Sequence, residues 1–182
     1  MRQPLVLHPH SQGPAGASVE VDVLRAPGGL LTLTYHLTGD LDALRLPAPV
    51  AAERADELWR TTCFEAFVRA QGGEAYYEFN FAPSTAWAAY RFSGYRSGMG
   101  MAEVSAPRIE TRRGERSFAL TAQLDLGAGG PQPEANWALG LSAVLEDVGG
   151  ALSYWAAAHP SGKPDFHHTD GFAIALAAPE GS

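Results

Sequence analysis

The chain has 182 residues, 46% of them hydrophobic, 10% aromatic and 18% charged. One globular domain over 1–182 is the expectation, because domains commonly run to ~100–200 residues and the chain is too apolar for disorder. Twenty acidic against 13 basic residues leave a formal net charge of −7, so nucleic acid and anionic membrane surfaces, which demand clustered positive charge, are poor partners.

At the amino end, Leu5-Val6-Leu7 falls far short of the ~7–15 apolar residues of a secretory signal. No run approaches the ~20 apolar residues of a membrane span. A soluble, cytoplasmic protein without membrane insertion is expected. In residues 18–23, Val19, Val21 and Val23 share one face and Glu20 and Asp22 the other, the alternation of a half-buried strand. Leu31, Leu33, Tyr35 and Leu37 repeat it. Residues 50–58, rich in Ala and Glu, predict a short helix or turn.

Beyond that point the segments 61–68, 75–81 and 87–92 read as strands apolar on both faces, as central strands are. Phe118, Leu120, Ala122 and Leu124 alternate again, and 137–145, 152–157 and 172–177 complete the series. Residues 178–182 predict a loose tail. Gly- and Pro-rich turn signals separate the strands, at 27–29, 39–40, 71–73, 113–115, 127–130, 147–150 and 161–164. Roughly ten strands so spaced predict an all-β, antiparallel sandwich of jelly-roll type.

If 61–68 and 76–81 pair across Gly72-Gly73, then Phe64, Ala66 and Val68 face the core with Tyr77, Phe79 and Phe81. Cys63, Glu65 and Phe67 then share the other face with Tyr76, Glu78 and Asn80. Flat rings beside carboxylates and an amide suit the binding of a sugar. The same glutamates serve equally well as ordinary solvent-facing residues, or as partners of Arg60 and Arg91.

The run Leu58-Trp59-Arg60-Thr61-Thr62-Cys63-Phe64-Glu65-Ala66-Phe67, then 76–84 (Tyr-Tyr-Glu-Phe-Asn-Phe-Ala-Pro-Ser) and Trp87 with Tyr90, resembles the DOMON-like proteins related to type 9 carbohydrate-binding modules. It is most similar to their small bacterial subgroup labelled MurB-like. Leu152-Ser153-Tyr154-Trp155, His159-Pro160, 163–168 and Gly171-Phe172 are similar to that family's closing strands and loop. The resemblance implies a jelly-roll sandwich that binds a sugar or a haem at one sheet without catalysis. A carbohydrate is thus the ligand expected, and Trp59, Arg60, Glu65, Tyr76, Glu78, Asn80, Trp87, Tyr90, Trp155 and His167 are the candidate binding residues. Trp59, Trp87 and Trp155 adjoin polar or loop segments and are favoured over Trp137; Tyr154 adds to the supply of rings. An accessory module that keeps the sandwich but has lost its ligand is the alternative, and its cleft would be filled by its own side chains.

Haem-binding relatives hold iron between a methionine and a histidine. Met99, Met101, His167 and His168 supply such residues but match no haem-ligand motif, so no cofactor is expected. His159, His167 and His168 fit no zinc spacing, and no metal is expected; a loop tie to Asp165 or Asp170 is the simpler role. Glu65 and Glu78 on facing strands reach the ~5–9 Å range of glycosidase pairs, and Cys63 lacks an evident base. Neither completes a catalytic constellation.

Overall fold

The computed structural model describes residues 1–179. Twelve strands form among the described residues: β1 (Arg2–Leu7), β2 (Ser18–Ala26), β3 (Leu30–Thr38), β4 (Cys63–Ala70), β5 (Tyr76–Phe81) and β6 (Trp87–Phe92), then β7 (Gly100–Met101), β8 (Arg108–Arg113), β9 (Ser117–Asp125), β10 (Trp137–Glu146), β11 (Leu152–Ala156) and β12 (Ile174–Leu176). All strand pairings are antiparallel, and the order is β7-β6-β5-β4-β10-β11-β1-β2-β3-β9-β8, with β12 also on β10. The expected all-β sandwich is present. Its count exceeds the expected ten because β1, β7 and β8 lack a clean alternating pattern: β1 is six residues around Pro4, and β7 is two residues long. No helix among the described residues is long and apolar enough to cross a membrane.

One strand belongs to both layers. Arg2 to Leu5 of β1 pair with β2, while Val6 and Leu7 pair with β11, so the continuous ribbon folds over on itself at β1. The first layer is β8-β9-β3-β2-β1 and the second β1-β11-β10-β4-β5-β6-β7. Between them lies the core: Val19, Val21, Leu31, Leu33 and Tyr35 from the first layer meet Phe64, Ala66, Phe79, Phe81, Leu139 and Leu141 from the second. Each set occupies alternate positions of its strand, as the period-two rule requires. Tyr35, fully buried on β3, donates its hydroxyl to the Glu65 carbonyl oxygen on β4 at 2.7 Å, a tie between layers directly behind the site described below.

Residues 50–57 form no helix. Their backbone groups bond to the start of β6 and the turn before it instead: the Val50 amide to Ser84 O, Ala55 to Trp87 O, and the Trp87 amide to Glu53 O. A single 3-10 turn follows at Leu58–Arg60. The local Ala and Glu preference is outweighed because an extended segment satisfies its backbone on the sheet edge. Of the tail expected at 178–182, the Ala178 amide is held by Asn136 Oδ1 at 2.9 Å, and residues 180–182 lie outside the described residues.

A second apolar cluster sits on the outer face of the second layer. Phe67, Tyr76, Ala88, Tyr90 and Phe92 project there, covered by Phe172 and Phe166. The chain between β11 and β12 crosses this face, and Gly140 lets it approach: a Cβ at that position would lie 3.0 Å from the Gly171 carbonyl oxygen and 3.4 Å from Phe67 Cβ. Two layers thus carry a third, partial layer of loop, and the space beneath that loop is where chemistry collects.

Candidate functional site

The hairpin β4-β5 pairs with Glu65 opposite Asn80 and Phe67 opposite Glu78. Phe64, Ala66, Phe79 and Phe81 therefore face the core, and the odd positions of β4 face outward with the even positions of β5, the division of faces expected from sequence. On that outer face opens a cavity of about 730 Å³. Its floor is Glu65 and Phe67 of β4, Glu78 of β5, Val144 of β10, and Leu152 and Tyr154 of β11. Trp59 and Arg60 of the 3-10 turn form one wall; Arg96 and Met99 of the β6–β7 loop, and Lys163, Phe166 and His167 of the closing loop, form the others.

Glu65 and Glu78 are neither solvent-facing nor partners of Arg60 or Arg91: their relative exposures are 2% and 5%, and Arg60 pairs with Glu57 at 2.8 Å. Glu65 Oε2 accepts from the Ser142 hydroxyl at 3.0 Å, and Glu78 Oε1 accepts from Asn80 Nδ2 at 2.8 Å. Both carboxyls are pushed above their ordinary value. For Glu65 the main cause is burial, then repulsion from Glu78, with Ser142 opposing; for Glu78 it is burial, opposed by Asn80 and Arg96. Two desolvated carboxylates on adjacent strands cannot both ionise cheaply.

His167 is held by its neighbours. The Arg96 amide donates to the Tyr76 hydroxyl at 3.2 Å, and that hydroxyl is hydrogen-bonded to His167 Nδ1 at 2.8 Å. The other ring nitrogen, Nε2, faces Glu78 Oε2 at 3.8 Å. Burial, with the Arg96 charge second, lowers His167 to about 4, so the ring is neutral at pH 7. Phe67 and Phe92 flank it edge-on at 5.2 and 5.1 Å. Asp165 secures the loop, accepting from Arg96 Nη2 at 2.8 Å, from the Tyr95 hydroxyl and from the His167 amide. The aspartate thus ties the loop, as expected, through the histidine's backbone rather than its ring. His168 points its Nδ1 at the Asp170 amide instead, 3.2 Å away.

Of the ten candidate residues, the fold brings Trp59, Arg60, Glu65, Glu78 and His167 around the cavity. Tyr76 and Asn80 lie behind its surface, orienting His167 and Glu78. Tyr90 stands beneath Trp59, with ring centroids 6.0 Å apart, and donates to Asp56 Oδ1 at 2.9 Å. The expected placement of Trp87 and Trp155 is corrected: both are 6% exposed and belong to the inter-layer core. Trp87 opposes Phe81, and Trp155 opposes Ala143, all on inward-facing positions. Nearness to loops misled there, because a strand residue's face is set by parity, not by what flanks the strand. Trp137 is core as expected, with the Arg25 guanidinium 3.6 Å from its ring centroid.

Sequence reasoning left Ser142, Arg96, Lys163 and Phe166 out of the site and ranked Trp155 above its neighbour Tyr154. Parity within 152–156 was the signal available for Tyr154. A lone serine in an apolar strand was the signal for Ser142, legible only once β10 is known to pair with β4. Met99 lines the same cavity as His167. Cys63 is fully buried, which pushes its thiol well up, and its Sγ faces Asn80 Oδ1 at 3.8 Å; it is no nucleophile in this state. Among the described residues no group of three or more His, Cys, Asp or Glu could hold a metal ion.

No family model and no curated protein matches the chain. Solved structures do. A Bacteroides uniformis protein provisionally described as carbohydrate-binding superposes with a TM-score of 0.66 at 16% identity, over 94% of this chain and 83% of that one. A carbohydrate binding module of family 9 from Caldicellulosiruptor kristjanssonii, in complex with glucose, gives 0.54 at 7% identity over 87% and 76%. Such a module from the same organism in complex with cellotriose gives 0.55, also at 7%, over 88% and 75%. At these identities the likeness is one of fold: the chain has a β-sandwich like that of the carbohydrate-binding modules.

Proposed function

We propose that this protein binds a carbohydrate or sugar-like small molecule, without turning it over, in the cavity on the outer face of the second layer, and that it is a DOMON-like relative of the type 9 modules, of the MurB-like subgroup. The observation that carries the reading is the cavity's make-up. About 730 Å³ is in the ordinary range for a small-molecule site, and its walls combine the rings of Trp59, Tyr154 and Phe166 with the carboxyls of Glu65 and Glu78. Rings pack on the apolar faces of a pyranose, and carboxyls accept from or donate to its hydroxyls. The likeness to modules solved with glucose and cellotriose supports the same ligand class. An accessory module that had lost its ligand would be expected to fill this space with its own side chains, which counts against that alternative.

Binding is favoured over hydrolysis by the position of the carboxylates. Glycosidase pairs flank the scissile bond, whereas Glu65 and Glu78 rise from neighbouring strands of one floor and meet a ligand from the same side. Haem is disfavoured by fit: an iron on His167 Nε2 would stand beside Glu78 Oε2, 3.8 Å from that nitrogen, and a porphyrin face would lie on two buried carboxyls.

Titration with mono- and oligosaccharides, followed by tryptophan fluorescence, tests the proposal. Trp59 is the tryptophan in the cavity wall, so a saturable change is expected in the wild type and is expected to be lost in Trp59→Phe. No saturable response to any sugar, confirmed by calorimetry, would overturn it.

A further inference from the structure

The charges around the cavity are distributed unevenly. At its rim Arg60 is paired with Glu57 and Arg96 with Asp165, leaving Lys163, exposed to water, as a rim cation with no ion pair among the described residues. Water and salt screen such a charge. The floor is the reverse. Glu65 and Glu78 are more than nine-tenths buried, line the open space, and face no cationic side chain at hydrogen-bonding distance. Glu65 uses one oxygen on Ser142, and its other oxygen has no hydrogen bond among the described residues. Glu78 uses one oxygen on Asn80, and its other has only the neutral His167 ring at 3.8 Å. Buried carboxylates are ordinarily paired or hydrogen-bonded throughout, so each carries an oxygen left for something that enters the cavity.

Resting on the sugar-binding reading, we propose that the ligand is an amino sugar, a hexose bearing a free primary ammonium, seated with that ammonium between Glu65 and Glu78. Three N–H donors on one centre match two carboxylate oxygens that lack partners, and charge-assisted hydrogen bonds of this kind are stronger than those to a neutral hydroxyl. The ammonium brings positive charge to two buried carboxyls that face no other cation at hydrogen-bonding distance. The sugar ring then lies against Trp59 and Tyr154, and no rim cation has to be displaced from its partner. An N-acetylated nitrogen keeps the size of the substituent but carries no charge, which separates the ammonium's contribution from the ring's.

Calorimetric titration at pH 6.5, below the ~7.7–8.0 range of α-amino groups, with glucose, galactose, glucosamine, galactosamine and N-acetylglucosamine tests this. One of the two amino sugars is expected to bind at least tenfold more tightly than its neutral parent, and N-acetylglucosamine is expected to show no such gain over glucose. Glu65→Gln and Glu78→Gln, each checked for folding by thermal melting, are expected to bring the ratio of amino-sugar to neutral-sugar affinity from at least tenfold to near one, whatever each does to the affinity for the neutral sugar. Equal affinity for amino and neutral sugars overturns the ammonium proposal and leaves the sugar-binding reading standing, as does a preference that survives both glutamine variants. Absence of binding by every sugar overturns both. Should the variants fail to fold, the comparison of glucosamine with N-acetylglucosamine on the wild type decides.

Discussion

Glu65 concentrates the conflict between folding and binding in one side chain. It sits at the centre of a sheet, 2% exposed, with a serine hydroxyl as its hydrogen-bond partner, so its charged form is costly. A carboxyl whose folded-state pKa is raised favours folding at acid pH, and that contribution is lost as pH rises from the ordinary carboxylate range near ~4.3 through neutrality. Glu65→Gln keeps the shape and removes the titration. Wild type is therefore expected to lose roughly 1–3 kcal/mol more stability than Glu65→Gln between pH 5 and pH 8, read by urea denaturation at both values. A parallel loss in the two proteins would mean that the carboxyl ionises in the fold as freely as in water. The identity of the residue was legible from alternation in β4. Its burial was not, because nothing local says that a loop from a hundred residues away will cover that face.

At the scale of elements, the closing loop between β11 and β12 is the part most sensitive to acid. It carries His159, whose ring lies 4.8 Å from His8, and His167 within its aromatic cage. Burial lowers the pKa of both His8 and His167. Burial therefore favours the uncharged ring of each in the fold, and His167 regains its ordinary value of ~6.5 when the loop detaches. Loop attachment is thus fully favoured above about pH 6.5 and weakens as pH falls toward the folded-state value of about 4 for His167. Amide exchange in residues 158–171, corrected for the intrinsic pH dependence, is expected to be faster at pH 5 than at pH 7.5, with β2 and β3 unchanged. Unaltered protection of the loop would show that these histidines do not hold it. The sequence identified this segment as a loop and its aspartate as a tie; which histidine would enter the cavity depended on the turn at 165–168.

At the scale of the molecule, the two layers are joined covalently through β1 and by packing, and the Tyr35 hydroxyl adds a polar tie to β4. Tyr35→Phe removes that hydrogen bond with little change in volume and is expected to cost about 1–2 kcal/mol in global stability; an unchanged denaturation midpoint would mean that water or the ladder satisfies the Glu65 carbonyl as well. The all-β class, the antiparallel arrangement and the two faces of the β4-β5 hairpin were determined by the sequence alone, because period-two alternation and glycine turns are local and each strand carries its own copy of them. Parity likewise assigned Glu65 and Glu78 to one outward face. What only the tertiary structure decided was non-local: that β10 brings Ser142 beside Glu65, that Trp87 and Trp155 look into the core while Tyr154 looks out, and that the chain after β11 roofs the outer face. Those outcomes depend on which strands become neighbours and where a loop comes to rest. Both are set by how the whole apolar surface is buried at once, and no single segment encodes them.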